Sequence, residues 1–310
     1  MHIPDGMLDT RTWVACWAGG AGAAGYASSW VRRNTGSSRL VLMAVLAALI
    51  FALQMLNFPV AAGTSGHFGG GVLAALLLGP WPACLVMTAV LVVQAVFFGD
   101  GGLTALGANL LNMALAAPFV GWTLFRLADR WPGGRVPGAF AAAWAGAVAS
   151  SLLVGVQLWA SGRADLGPVT AALGGWHALI GVGEGLITAG LVAWLARVRP
   201  ALLEPRPSEP SPTLVAGLAA LAVLAAALSF LASGHPDGLE YVYFDQGLGA
   251  AFPAWSALAS PFPDYQVPGL PGDGLGGVAA GLLGLVLSGG LLYLLLRLLQ
   301  GRRPGQARRG

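Results

Sequence analysis

Apolar runs long enough to cross a bilayer follow one another along almost the whole chain, near residues 12–30, 39–58, 66–80, 82–98, 104–126, 138–160, 173–196, 213–233 and 275–298. A spanning helix needs about 20 largely apolar residues. Charged residues make up only 9% of the sequence, against about 25% in an ordinary water-soluble domain. The expected fold is therefore all-α and polytopic, with about nine transmembrane helices. The third run is short and Gly-rich, and it ends in Gly79-Pro80-Trp81-Pro82, a tight-turn signal.

Arginine placement sets the orientation. All 16 basic residues are arginine and lysine is absent. With nine crossings and the N-terminus outside, Arg32, Arg33 and Arg39, then Arg126, Arg130 and Arg135, then Arg197, Arg199 and Arg206, and finally Arg297, Arg302, Arg303, Arg308 and Arg309 all fall in the cytoplasm. Only Arg11 and Arg163 lie outside, as the positive-inside rule requires. The C-terminus is then cytoplasmic. Lacking lysine, the chain can form neither a conventional phosphate-binding P-loop nor a Schiff base. Cys16 and Cys84 have no partners at metal-ligand spacing and read as core residues.

The Pro-rich segment 199–212 reads as a cytoplasmic linker between a first module, residues 1–198 with seven crossings, and a second, residues 213–310. The second is a two-helix hairpin enclosing an extracytoplasmic loop, 234–274, ordered by docking onto the first module.

Chemistry concentrates at the start, Met1-His2-Ile3-Pro4-Asp5-Gly6. No basic n-region precedes the first apolar run, so signal-peptide cleavage is not expected, and bulky His2 disfavours removal of Met1. A histidine at position 2 can bind one ion through three adjacent nitrogens: the Met1 amine, the deprotonated His2 amide and His2 Nδ1. Planar nitrogen donors suit Ni(II), Cu(II) and low-spin cobalt. A fourth position stays open. His67, in Gly66-His67-Phe68-Gly69, lies on the same side and can fill it; it can equally be an interfacial loop histidine.

Other polar residues carry two readings each. Asn109 and Asn112 share a helix face, and with Gln54, Asn57, Gln94 and Gln157 they either hydrogen-bond the imidazoles or join helices. His177 and Glu184 lie two turns apart on one stripe, and Glu184 needs a partner or water. A second ion, a proton, a structural contact or a subunit contact would fit the pair. In the second module His235, Asp237 and Glu240 surround the Pro236-Asp237-Gly238 turn and either attract cations or dock the loop.

The opening hexapeptide, Ser65-Gly66-His67, the stretch Gly101-Gly102-Leu103-Thr104-Ala105-Leu106-Gly107-Ala108-Asn109-Leu110-Leu111-Asn112-Met113-Ala114, and His177 with Gly183-Glu184-Gly185-Leu186 resemble the CbiM/NikM family over residues 1–198. The second module resembles the PDGLE domain, the companion component of nickel systems, named for Pro236 to Glu240. The resemblance implies the substrate-capture subunit of an energy-coupling-factor transporter in a prokaryotic cytoplasmic membrane, a transporter and not an enzyme. The ion, Ni(II) or cobalt, is the transported substrate, and the implied ligands are Met1, His2 and His67. Implied partners are a T/Q-type transmembrane coupling subunit and A/O-type cytoplasmic ATPase subunits; no nucleic acid is involved. The fused second module favours nickel. The competing readings are cobalt import for cobalamin synthesis and a membrane metal sensor without transport. An intramembrane enzyme built on His177 and Glu184 has no nucleophile motif behind it.

Overall fold

A computed structural model describes residues 1–203, 210–252, 255–270 and 274–301. Most of the linker centre, including Arg206, and the C-terminal arginines 302–309 lie outside the described residues. The protein is helical, with one two-residue antiparallel ribbon, β1 (Phe58–Pro59) with β2 (Ser65–Gly66). Among the described residues five helical segments are long and apolar enough to cross a membrane: Pro80–Phe98, Leu106–Ala128, Arg135–Ala160, Leu166–Val198 and Leu275–Gln300.

The first helix, α1 (Thr10–Asn34), is capped by the Asp9 side chain, which accepts from Thr12 N, and carries Arg32 and Arg33 in its last turn, where cations suit the helix dipole. Helix α2 (Ser37–Gln54) follows. The third apolar run departs from expectation. Only α3 (Gly71–Leu78) is helical, eight residues or about 12 Å, and too short to span about 30 Å of hydrocarbon alone. The reason is local: Gly63, Gly66, Gly69 and Gly70 precede it, and Gly63 and Gly70 adopt positive φ, which glycine alone tolerates freely. Gly79, also at positive φ, turns the chain into α4 (Pro80–Val93), whose Pro80 sits where a helix needs no N–H.

Two helices widen into π turns close to the N-terminus: α4 over Gln94–Phe98, and the segment from α5 (Leu106–Asn109) through Leu110–Ala116 into α6 (Ala117–Ala128). Helices α7 (Arg135–Ala160) and α8 (Leu166–Val198) pack side by side. Beyond the linker, α9 (Pro212–Ala227) and α11 (Leu275–Gly301) both pack on α2, flanking the short α10 (Gly238–Glu240). Leu186, Val286, Leu294 and Leu298 point outward from helices that are apolar all round, as lipid-facing residues do.

Small residues let the backbones meet. A Cβ on Gly107 would stand 2.4 Å from the Trp17 backbone, and one on Gly20 would stand 2.6 Å from the Gly107 carbonyl oxygen. This close approach clamps α1 on α5. A separate apolar cluster gathers Met1, Ile3, Met7 and Leu8 with Ala105 and Ala108, Leu158 and Leu173, and Leu239, Val242 and Tyr243. The N-terminus is thus buried between residues of the first part of the chain and residues of the C-terminal part.

Candidate metal centre

The first six residues run inward and are held at nearly every step. Ile3 N donates to Asn109 Oδ1 (2.9 Å), Asn109 Nδ2 donates to Ile3 O (3.1 Å), and Gly102 N donates to the same carbonyl (2.9 Å). Asp5 Oδ1 accepts from Thr104 N (2.7 Å) and Thr104 Oγ1 (2.6 Å). Arg163 Nη2 donates to Gly6 O (3.2 Å). Glycine is required at 102, where a Cβ would lie 2.2 Å from Asp5 N, and at 101, where φ is +88° and His2 packs overhead.

This course brings Met1, His2 and His67 together. The Met1 amine donates to His67 Nε2. The His2 and His67 rings stack with centroids 5.5 Å apart and planes 15° from parallel. His67 Nδ1 and His2 Nε2 are buried with no protein partner. Among the described residues no three His, Cys, Asp or Glu side chains converge as a metal cage.

Two carboxylates that the sequence reading did not place in the centre flank it. Asp237 Oδ2 pairs with the Met1 amine (2.7 Å), and Asp100 Oδ1 pairs with His2 Nδ1 (2.9 Å). Asp100 Oδ2 in turn accepts from Tyr265 OH (2.5 Å), which accepts from Gln94 Nε2 (3.1 Å). Burial alone would raise both aspartates. The His2 charge and hydrogen bond, with the Tyr265 hydroxyl, outweigh it for Asp100; the amine and His67 outweigh it for Asp237, and both carboxyls are held below their ordinary range. Burial, with the nearby amine and His2, pushes His67 down to about 3, so its lone pair stays available. The Tyr265 hydroxyl is raised by burial and by Asp100.

The family model described as cobalt uptake substrate-specific transmembrane region matches residues 2–202. The chain belongs to this family. The model of the PDGLE domain matches residues 211–301. A protein of Archaeoglobus fulgidus bearing the NikMN name is 38% identical over 301 residues, covering 96% of this chain and 98% of that protein. The fused nickel transport protein NikMN of Rhodobacter capsulatus is 35% identical, covering 93% and 94%. A crystal structure of a truncated transition metal transporter superposes with a TM-score of 0.56 at 31% identity, covering 64% of this chain and 99% of that one.

The other polar residues of this CbiM-family chain take separate places. Asn109 hydrogen-bonds the Ile3 backbone, as described. Asn112 exchanges two 2.8 Å hydrogen bonds with Gln157 of α7, the helix-joining reading. The expected shared face does not bring Asn109 and Asn112 to one partner, because the π turn begins between them. Gln94 Nε2 donates to Gln54 Oε1 (2.8 Å), and Gln54 Nε2 to Gly69 O (2.7 Å), bracing the His67 loop. His177 and Glu184 line, with Met1, His67 and Ser150, one cavity beneath the centre. His177 Nδ1 donates to Leu173 O (2.8 Å), and Glu184 Oε1 accepts from Gly70 N (3.3 Å). Two helical turns, about 10 Å of rise, separate their backbones.

Of the second-module candidates, only Asp237 touches the centre. Glu240 Oε2 accepts from Asp237 N (2.9 Å) in a capping box; burial and the Asp237 charge raise its carboxyl. His235 is exposed, and its carbonyl accepts from Ser65 Oγ (2.7 Å). A cleft lined by His2, Asp100, Asp237, Glu240 and Asp264 opens beside the two imidazoles. Asp5, Asp100, Arg163 and Tyr265 were not legible as site residues; the turn Gly99-Asp100-Gly101-Gly102 was the one visible signal.

Proposed function

We propose that the chain is the substrate-capture subunit of an ATP-driven, energy-coupling-factor importer of Ni(II) in a prokaryotic cytoplasmic membrane. It crosses nine times, the third crossing made by the largely buried extended residues before α3 together with that short helix, with its N-terminus outside and C-terminus in the cytoplasm. The ion binds four nitrogens in one plane: the Met1 amine, the deprotonated His2 amide, His2 Nδ1 and His67 Nε2. The convergence of Met1 and His67 Nε2 beside His2 carries this reading. His2 Nδ1 pairs with Asp100 Oδ1 at 2.9 Å, so binding at that nitrogen exchanges this contact for the ion.

The donor set rejects ions that favour oxygen ligands and disfavours tetrahedral zinc. The amide must lose its proton, so binding weakens in acid. ATP hydrolysis in partner ATPase chains, coupled through a transmembrane T/Q-type subunit, then drives release inward. Cobalt is the second reading, on the same nitrogens, and the family description names it; the near-full-length relatives named for nickel favour Ni(II).

Acetylating the Met1 amine, the one primary amine in a lysine-free chain, tests the reading. It removes the amine as a donor and leaves every side chain unaltered. Nickel titration of the purified protein should then show binding lost with folding retained; unchanged affinity would refute the ligand set.

A further inference from the structure

The segment that matches the PDGLE domain reaches the proposed ligands directly. Its turn is seated on the strand next to His67: Ser65 N donates to Pro236 O (2.8 Å) and Ser65 Oγ to His235 O (2.7 Å), and Ser65 and Asp237 form a parallel bridge. Gly238 lies flat on His177, where a Cβ would meet the imidazole at 2.8 Å. The seat fixes Asp237, and its two oxygens divide their work. Oδ1 accepts from Leu239 N (2.8 Å) and Glu240 N (3.0 Å), capping the turn. Oδ2 is left for the Met1 amine at 2.7 Å.

The two carboxylates at the centre are not equivalent during loading. Asp100 pairs with His2 Nδ1, the atom the ion takes, so that contact is lost. A metal-bound amine keeps two N–H bonds, so Asp237 can hold the amine before and after the ion arrives. The hexapeptide is also tethered by the same C-terminal segment farther along: Ala257 N donates to Asp5 Oδ2 (2.8 Å), and Ala250 N donates to the carbonyl of Arg163, which holds Gly6.

We propose that Asp237 is a positioning residue for the Met1 amine, contributed by the C-terminal segment, so that this segment is part of the metal centre and not only a companion to it. The inference rests on the ligand reading above. Preorganisation of this kind strengthens binding by removing the entropy of ordering the ligand, and a charge-assisted hydrogen bond contributes on the order of ten- to hundredfold in affinity.

The test is nickel competition titration of the full chain in detergent, alongside the thermal midpoint of the metal-free protein. Asp237→Asn keeps an oxygen to cap Leu239 and Glu240 and loses the carboxylate facing the amine. Expected is an affinity loss of about ten- to hundredfold, a midpoint lowered only by the lost ion pair with the Met1 amine, and the same absorption spectrum at nickel saturation. Ser65→Ala, which loosens the seat without touching the amine, should lower affinity less. Wild-type affinity in Asp237→Asn overturns the inference. So does a loss no larger than that of Ser65→Ala, which would make Asp237 a structural contact alone. If wild type binds nickel, acetylation of the Met1 amine abolishes binding, and Asp237→Asn is silent, only this inference falls. If wild type fails to bind, the ligand reading falls with it.

Discussion

At the scale of single residues, His2 and His67 were legible because position 2 is chemically unique and the chain has only four histidines. Asp5 and Asp100 were not, because their partners lie 99 and 98 residues away and no local pattern marks such pairs; Asp237 was singled out from its turn, but not its pairing with the Met1 amine 236 residues away. Asn109 was singled out, but its work is to hold the Ile3 backbone. Asn109→Ala should cost about 2 kcal/mol, two hydrogen bonds, and weaken nickel binding through a disordered N-terminus, read by titration and thermal denaturation. His67→Ala should leave three nitrogens and lower nickel affinity more than the about 10–100-fold typical of residues that merely orient a ligand. His67 also sets a pH dependence. Its folded value, about 3, lies below the ordinary 6.5. Above pH 6.5 both folded and unfolded chains are neutral there. As pH falls from 6.5 toward 3 the unfolded chain takes the proton first and stability drops, by about 2 kcal/mol at pH 5. Denaturation of the metal-free protein at pH 7 and pH 5 should show this drop, and His67→Gln should flatten it.

At the scale of elements, periodicity and length located the long apolar helices to within a few residues at most ends. Local chemistry decided where this failed. Glycines around His67 replaced the third spanning helix with a loop and the short α3, and π turns rotated Asn112 away from Asn109. Hydropathy carries no signal for either. The α1–α5 contact gives a clean test of small-residue packing. Gly107→Ala drives a methyl into the Trp17 backbone, whereas Gly22→Ala meets nothing within 4 Å. The first should lower stability by about 1–3 kcal/mol and loosen the Leu106–Asn109 segment that anchors Ile3; the second should be neutral or mildly stabilising. Thermal midpoints in detergent distinguish them.

At the scale of the whole molecule, the two matched segments meet over the N-terminus, and the buried cluster of Met1, Ile3, Leu239 and Tyr243 belongs to both. That juxtaposition was visible in the sequence only as the expectation that the second module's loop docks. Nine crossings require the loop and the linker to lie on opposite sides. Cys16 and Cys84 are buried, so a membrane-impermeant thiol reagent should label Ser256→Cys in intact cells and Ala201→Cys only after permeabilisation; the reverse pattern would invert the topology. The measurement closest to the heart of the matter is nickel K-edge X-ray absorption on the loaded full-length protein. A single ion in a flat shell of four nitrogens, lost on acetylating the Met1 amine, is the expected result. A tetrahedral or oxygen-rich octahedral shell, or a spectrum indifferent to that acetylation, would contradict the terminal amine and amide as ligands.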